Sequence, residues 1–191
     1  MSHDPIRLQL VLAAGALLAT TVPMATLGAQ EGPKSFTVSS AAFKEGQPIP
    51  EEFTAYGQGK SIPLSWSGLP SGTKSIAVVM DDPDALTPGP FVHWVIYDIP
   101  ASAKGLDPGL PTDPRLDTPK GALQGTNGRK STGYFGPRPP KGDPPHHYQI
   151  RVYALDGMLK IDPGADKEAL LEAMQGHVIG QGLLTGTVQK K

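Results

Sequence analysis

Three carboxylates stand close together where an apolar run of the sequence ends. The run is Ser75–Met80 (SIAVVM), and Asp81, Asp82 and Asp84 follow it around a single proline. Charged groups at the end of a buried strand cost stability unless they have partners or a function. Aspartate and proline also form turns on their own account, so an ordinary Asx-type turn is the simplest interpretation of this segment.

A histidine lies just beyond these carboxylates. His93 belongs to Phe91–Pro100, a segment whose β-branched and aromatic residues are typical of a buried strand. Only a short loop separates this segment from the aspartates, so we expect the two strands to pair as a hairpin with His93 near the carboxylates. Strict alternation along the strand places His93 on the face opposite Val92 and Trp94.

A third polar group opens a later segment. His146, His147 and Tyr148 end a Gly/Pro-rich stretch and enter Tyr148–Asp156, whose alternating polar and apolar residues predict a strand. The two strand ends together predict one pocket. In it, a carboxylate beside an imidazole would stabilise the protonated ring. Imidazolium groups, a tyrosine hydroxyl and loop N–H groups form a donor set that suits phosphate or another small oxyanion.

Metal binding and hydrolysis are the alternative chemistries. The possible metal ligands are Asp82, Asp84, His93 and His146. Their separations in the sequence match no compact metal motif. No serine stands in a G-x-S-x-G nucleophile motif, and the absence of cysteine excludes thiolate chemistry. An aspartate pair could do acid–base chemistry, but the sequence offers no group that would activate a substrate.

The elements that must position these groups are short. The chain has 23 glycines and 21 prolines among 191 residues, against roughly 12% for the two together in average proteins. Such a chain is rich in turns, and further β-like segments occur at Ser35–Ser40 and Ile62–Pro70. Only Asp166–Met174 predicts a helix. Since no repeat or shift in composition appears, we expect residues 30–191 to form a single, mainly β domain.

Two long irregular stretches connect the predicted strands. Residues 101–120 have a proline every few positions and cannot form regular structure for long, and residues 125–147 combine prolines with glycines and aromatic residues. Loops of this length in a compact domain are usually functional or disordered. The adjacent rings of Tyr134 and Phe135 favour an ordered, functional loop, because a disordered linker has little use for buried rings.

The N-terminus has the pattern of a targeting signal. Arg7 precedes a short apolar stretch (LQLVLAAGALLATTV), and small residues follow up to Ala29. This predicts a cleaved signal peptide over residues 1–29 and an exported, periplasmic or secreted protein. The stretch is shorter than the ~20 apolar residues of a membrane span, so we expect no stable membrane insertion after cleavage. A net charge of −1 without a basic patch argues against a nucleic-acid partner.

The motifs in combination resemble a known family. DDPDAL, then FVHWVIYDIP, then GYFGPRPPKGDPPHHYQIRVYALD is similar to the phosphatidylethanolamine-binding protein family, in particular to its bacterial Raf-kinase-inhibitor-like branch. The resemblance spans roughly residues 35–188. It implies a β-sandwich in which a large antiparallel sheet packs on a smaller sheet, together with a C-terminal helix.

The resemblance also implies a set of ligand-binding residues. The family's D-P-D pair, histidine-bearing strand, H-R-Y triplet and G-P-x-P-P-x-G loop match Asp82, Asp84, His93, Gly136, Arg138, His146 and Tyr148. Because the loop prolines lack an N–H group, the amide of Arg138 is the expected donor of the loop. Two positions depart from the family pattern. His147 replaces the usual arginine, and Val188 stands where bacterial relatives often have an aromatic residue.

Function follows from the resemblance as an expectation. It implies a non-enzymatic binding protein, without a cofactor or metal, whose ligand is a small anion such as phosphate, acetate or a phosphoethanolamine-like headgroup. The alternative is a protein-interaction module that inhibits a protease or kinase through the loop surface of residues 101–147.

Overall fold

The computed structural model describes residues 32–191. The predicted signal peptide, residues 1–29, lies outside the described residues and stays a prediction. Within the described part of the chain, no helix is both long and apolar enough to cross a membrane.

The described chain is mainly β, as the composition predicts. Its nine strands are β1 (Lys34–Ser35), β2 (Thr37–Ser39), β3 (Leu64–Ser67), β4 (Ser75–Asp82), β5 (Phe91–Pro100), β6 (Gly105–Leu106), β7 (Leu123–Gln124), β8 (His146–Leu155) and β9 (Val178–Val188). One α-helix, α1 (Lys167–Ala173), and one short 3-10 turn (Glu51–Phe53) complete the elements. All five predicted strand segments coincide with or overlap one of these strands.

The strands form a large and a small sheet, which confirms the predicted fold class. The large sheet has six strands in the order β1-β9-β8-β4-β5-β7, and the small sheet has three in the order β2-β3-β6. All pairs are antiparallel except the two-residue pairing of β1 with β9, which makes the large sheet mixed. The predicted hairpin of β4 and β5 is present.

Strand β4 lies at the centre of the large sheet and is buried on both faces. Ile76, Val78 and Met80 pack in a core that contains residues of the small sheet. Ala77 and Val79 pack in a second core, on the opposite face, with residues of α1. We call these the inner and outer cores. Burial on both faces explains why the run is continuously apolar, with no alternation.

Helix α1 matches its prediction closely. Asp166 caps the helix by accepting a hydrogen bond from the Ala169 amide at 3.0 Å, the stabilising role expected of aspartate at this position. The helix is not the last element, because β9 follows it in the chain. Leu170 and Met174 attach it to the outer core.

Strand β9 was not predicted from the sequence. It contains glycines at three positions, and glycine is depleted in strands because it has no side chain to pack. The structure gives the reason for two of them. A Cβ atom on Gly182 would lie 2.5 Å from Val38 Cγ2, and one on Gly186 would lie 2.5 Å from Ile49 Cγ1. Val38 of β2 and Ile49 therefore pack directly on the backbone of β9 at these two glycines.

Candidate functional site

A cavity of about 310 Å³ opens where the ends of β4, β5 and β8 meet the β4–β5 loop and the Gly/Pro-rich stretch of residues 125–147. Its lining residues are Asp82, Ala85, Leu86, Phe91, His93, Arg129, Phe135, Arg138, Pro139, Pro140, Asp143, His146 and Tyr148. The two strand ends that the sequence predicts to meet do so here. Five of the predicted site residues are in the lining; Asp84 and Gly136 are not. The ligand-binding role of each remains a prediction.

A β-bulge brings His93 to this cavity. In the pairing of β4 with β5, Met80 is opposite Trp94 but Asp81 is opposite Val92, so His93 is the extra residue. Such an extra residue interrupts alternation and re-aims a side chain. Trp94 packs in the inner core, and the His93 ring contacts Tyr148 of the same core at a centroid distance of 5.1 Å. The expectation that His93 and Trp94 face opposite ways was therefore wrong.

Asp82 is held between a turn and a histidine. Its Oδ1 atom accepts from the Asp84 amide at 2.9 Å, and its Oδ2 atom accepts from His146 Nδ1 at 2.8 Å. The Asx-type turn and the histidine contact thus exist together, one on each carboxylate oxygen. The other ring nitrogen of His146 lies 3.4 Å from Asp143 Oδ2. Burial alone would lower the pKa of His146, but the hydrogen bond and charge of Asp82 raise it above the ordinary value.

His93 has a different environment. Its Nδ1 atom donates to the carbonyl of Phe135 at 2.7 Å, and the Phe135 amide donates to the carbonyl of His93 at 2.8 Å. Since Nδ1 carries a proton, Nε2 is the ring nitrogen left for a ligand. Burial lowers the pKa of His93 below the ordinary value, although the Phe135 carbonyl and the charge of Asp82 oppose the shift. The expectation that carboxylates keep both imidazoles protonated is therefore supported only for His146.

Tyr148 carries an unpaired hydroxyl into the same region. Its side chain is fully buried, and the hydroxyl has no hydrogen-bond partner within residues 32–191. Burial, then the charge and close approach of the Asp82 carboxylate, raises the pKa of Tyr148 far above its ordinary value, while the neighbouring main-chain N–H of Arg138 acts in the opposite direction. The hydroxyl therefore stays protonated, and a ligand oxygen would compete with the Asp82 carboxylate for its proton.

Asp84 and Gly136 serve the framework around the cavity. The Asp84 carboxylate accepts from the His147 amide at 2.7 Å and from His147 Nδ1 at 2.8 Å, contacts that lower its pKa. The histidine at position 147 thus hydrogen-bonds to the aspartate at an exposed position. A Cβ on Gly136 would lie 2.6 Å from the amide nitrogen of Ala55, so the glycine lets the loop pack on that segment.

The second departure from the family pattern lies in the inner core. Val188 is paired with His146 at the end of the large sheet and is buried there. It is absent from the cavity lining given by the described residues. The change from an aromatic residue at this position therefore leaves the lining itself unaltered.

Sequence reasoning missed several lining residues. Phe91, Arg129, Phe135 and Asp143 all line the cavity, and the Arg129 guanidinium lies 4.8 Å from the centre of the Phe135 ring. The long Gly/Pro loop containing Phe135 was predicted to be ordered and functional. The predicted order of this loop was the sequence signal for Phe135, because an aromatic ring in an ordered loop must pack against other residues.

Metal ligation has little support in this geometry. Within residues 32–191, no group of three or more histidine, aspartate or glutamate side chains is arranged to hold a metal ion. The nitrogens of His146 are both taken by carboxylates.

Comparison with known proteins identifies relatives over most of the chain. A model of the phosphatidylethanolamine-binding protein family matches residues 39–189. A UPF0098 protein from Methanothermobacter thermautotrophicus is 45% identical over 149 residues, which cover 78% of this chain and 95% of that protein. A Mycobacterium tuberculosis relative whose name describes a lipoprotein, LppC, is 36% identical over 171 residues, covering 90% of this chain and 80% of that protein.

Solved structures agree with the family match. Escherichia coli YbcL, described as a member of the mammalian PEBP family, superposes with a TM-score of 0.76 at 34% identity, over 82% of this chain and 99% of that one. The PEBP homologue CT736 from Chlamydia trachomatis gives 0.73 at 36% identity, over 83% and 99%. The family model spans strands β3 to β9 and the residues that line the cavity. The chain therefore belongs to the phosphatidylethanolamine-binding protein family, whose members are typically binding proteins.

Proposed function

We propose that this chain is an exported, non-enzymatic binding protein whose cavity takes a small oxyanion, such as phosphate, acetate or a phosphorylated headgroup. The observation that carries the proposal is the buried, unpaired hydroxyl of Tyr148. A buried polar group without a partner costs stability, and an oxyanion in the cavity would accept from it. The main-chain N–H of Arg138 lies close enough to act on the same hydroxyl and is a second donor.

The charges around the cavity tolerate an anion despite the buried aspartate. Asp82 is neutralised by the histidine bonded to it, His146, whose raised pKa favours the protonated ring. Asp143 and the side chains of Arg129 and Arg138 also line the cavity. With His146 protonated, the positive side chains outnumber the negative ones. Asp82 then acts by keeping His146 charged, and the ligand meets a field of positive sign.

The lining also supports binding without catalysis. Among the described lining residues there is no serine, threonine, lysine or cysteine that could act as a nucleophile. The raised pKa of Tyr148 keeps its hydroxyl protonated and therefore a poor nucleophile. His93 Nδ1 is bonded to a main-chain carbonyl, and no serine or threonine hydroxyl lies in the described lining for the ring to activate.

Export rests on two observations. The first is the signal-like N-terminal segment, with Arg7 before an apolar stretch. The second is the similarity to a mycobacterial protein named as a lipoprotein. Chain cleavage near Ala29, measured by mass spectrometry on protein from the extracytoplasmic fraction, would test it.

Sulfate is the probe for the site, since it does not titrate near neutral pH. We expect saturable sulfate binding by calorimetry or NMR, weakened at least 10-fold by Tyr148→Phe. The matched control is Tyr153→Phe, because Tyr153 is on the same strand but packs against the outer core. Absence of saturable binding, or equal binding by Tyr148→Phe, would contradict the proposal.

A further inference from the structure

The cavity is larger and more apolar than a small oxyanion needs. Its volume of about 310 Å³ corresponds to about ten waters at roughly 30 Å³ each, whereas phosphate and sulfate have five heavy atoms. The lining residues without a polar side chain are Ala85, Leu86, Phe91, Phe135, Pro139 and Pro140. A ligand that fills the cavity therefore has an apolar part next to its charged part.

Two phenylalanines and an arginine form what we call the aromatic wall: Phe91, Phe135 and Arg129. The two phenyl rings meet edge to face, with centroids 6.1 Å apart at 63°. The Arg129 guanidinium lies 4.8 Å from the centroid of the Phe135 ring. Both phenylalanine side chains are only partly buried, so they keep apolar surface for a ligand. Such edge-to-face and cation–π pairs hold rings in defined positions.

The aromatic wall is attached to the donor end of the cavity. The ring of Phe135 stacks on the ring of His93 with a centroid distance of 5.6 Å and an angle of 7°. A main-chain hydrogen bond from the Phe135 amide to the His93 carbonyl and a side-chain bond from His93 Nδ1 to the Phe135 carbonyl also join the two residues. His93 in turn contacts the ring of Tyr148, the residue with the unpaired hydroxyl. The apolar and polar parts of the cavity are therefore pre-positioned relative to each other, which favours a ligand that uses both.

Leu86 supplies a further apolar surface at the same cavity. It lines the cavity, yet 94% of the residue is exposed. A single exposed leucine is ordinary by itself. Beside the aromatic wall, however, a bound apolar group would remove part of its surface from water and gain affinity.

We infer that the preferred ligands are oxyanions that carry a compact aromatic group, such as an aryl phosphate, aryl sulfate or aromatic carboxylate. The oxyanion meets the Tyr148 hydroxyl and the Arg138 amide, and the aromatic group lies against Phe91 and Phe135. This inference rests on the proposed oxyanion function and narrows it. It distinguishes these ligands from free phosphate and from an ethanolamine headgroup, whose substituent is polar.

Three sulfate esters test the inference with one charged group held constant. Methyl sulfate, phenyl sulfate and 2-aminoethyl sulfate share the same non-titrating oxyanion and differ only in the substituent. We expect phenyl sulfate to bind at least 10-fold more tightly than methyl sulfate, and 2-aminoethyl sulfate to bind no more tightly than methyl sulfate. Tyr148→Phe should weaken all three.

Substitutions in the aromatic wall test whether its phenylalanines cause the preference for phenyl sulfate. Phe135→Leu keeps the main-chain hydrogen bonds, and it should reduce the phenyl-to-methyl affinity ratio to about 2 or less. Phe91→Leu provides an independent variant if Phe135→Leu does not fold. The matched control is Leu183→Ala, since Leu183 is half-exposed on β9 and is not a lining residue. This control should retain the ratio of the wild type.

The possible outcomes distinguish failure of the aromatic preference from failure of the oxyanion function. Equal affinities for the three esters would overturn the aromatic preference while leaving the oxyanion function intact. Tighter binding of 2-aminoethyl sulfate than of phenyl sulfate would overturn it in favour of an ethanolamine-type headgroup. A wild-type ratio in both wall variants would also overturn it. If no ester and no inorganic sulfate binds, the proposed function itself fails.

Discussion

Two neighbouring aspartates at the end of β4 are equally buried and have different partners. Asp81 is 1% exposed and faces the outer side of the large sheet, where it accepts from Arg151 at 3.0 Å and from Lys167. Asp82 is 3% exposed and faces the inner side, where it accepts from His146 and borders the cavity. Alternation along the strand separates them, since consecutive side chains point to opposite faces.

The partners decide what each carboxylate can do. Arginine and lysine keep their charge at neutral pH, so the Asp81 cluster is permanent, and it ties the first residue of α1 to β8. Histidine changes its charge in the physiological range, so the charge of the Asp82 pair depends on pH. Two identical side chains therefore give a structural ion pair on one face and a pH-dependent pair beside the cavity on the other.

The largest expected effect comes from removing the structural carboxylate. Asp81→Ala leaves two cations near the protein interior without their partner. Because Arg151 and Lys167 are partly exposed, we expect a loss of about 2–4 kcal/mol in the free energy of unfolding, somewhat below the range for fully buried pairs. Urea denaturation measures it. Asp156→Ala, which breaks the exposed pair with His177, is the control and should cost less than about 1 kcal/mol. If Asp81→Ala and Asp156→Ala lowered the free energy of unfolding by similar amounts, the Asp81 cluster would not be a buried structural ion pair.

A smaller loss is expected at the cavity. Asp82→Asn keeps an acceptor for His146 but removes the charge, so the unfolding free energy should fall by about 1–2 kcal/mol. The pKa of His146 should fall as well, because burial continues to oppose the charged ring while the carboxylate that raised it is gone. NMR titration of the histidine resonances follows this change. An unchanged pKa of His146 would show that Asp82 is not the group that raises it.

The two cavity histidines should give pH effects of opposite sign. His146 has a raised pKa, so its stabilising contribution is complete below its unfolded value near 6.5 and is lost as the pH rises through the folded pKa. His93 has a lowered pKa, so its contribution is complete above 6.5 and is lost as the pH falls through the folded pKa. The cost of His146→Gln should therefore shrink at high pH, and that of His93→Gln at low pH. Each unit of pKa shift corresponds to about 1.4 kcal/mol.

Denaturation of both variants and the wild type between about pH 5 and pH 8.5 measures these slopes. Costs that change with pH in the same direction would contradict the assignment of one charged and one neutral ring. Sulfate affinity gives an independent readout, since it should decrease as the pH rises through the raised pKa of His146.

The smallest effect on stability is expected at Tyr148, although the expected loss of sulfate affinity there is large. Tyr148→Phe removes an unpaired buried hydroxyl, so the free energy of unfolding should stay the same or rise by about 1 kcal/mol. Tyr134→Phe is the control, because the Tyr134 hydroxyl donates to the carbonyl of Phe53 at 2.7 Å in a buried site. That variant should cost about 1 kcal/mol. A destabilised Tyr148→Phe would mean that the hydroxyl has a structural partner.

Much of the site could be predicted from the sequence because short-range signals determine it. The apolar run before Asp82, the short loop to Phe91–Pro100 and the alternation after His146 predict which strand ends carry polar groups. Asp84 was expected among the ligand-binding residues, yet its carboxylate is bonded to His147. The identity of that partner depends on the tertiary fold, because the two residues are 63 positions apart.

Other features depend on packing that no local pattern records. The bulge that turns His93 inward is a property of the β4–β5 pairing, and the order of residues in either strand alone does not show it. The glycines of β9 contradict strand propensity and are explained only by contacts with Val38 and Ile49. The aromatic wall joins Arg129 and Phe135, which are close in sequence but belong to a stretch without a regular repeat.

By itself, the sequence determined the mainly β architecture, the helix near residues 166–174, and the reactive residue types at the strand ends. Period-two alternation, turn residues and capping act over a few positions, so they can be recognised in one chain. Only the tertiary structure decided which aspartate faces arginine and lysine and which faces histidine. It also decided which histidine is favoured in its charged form. The physical reason is that burial and ion pairing depend on groups as much as 86 positions apart, and these two factors set the charge of a side chain.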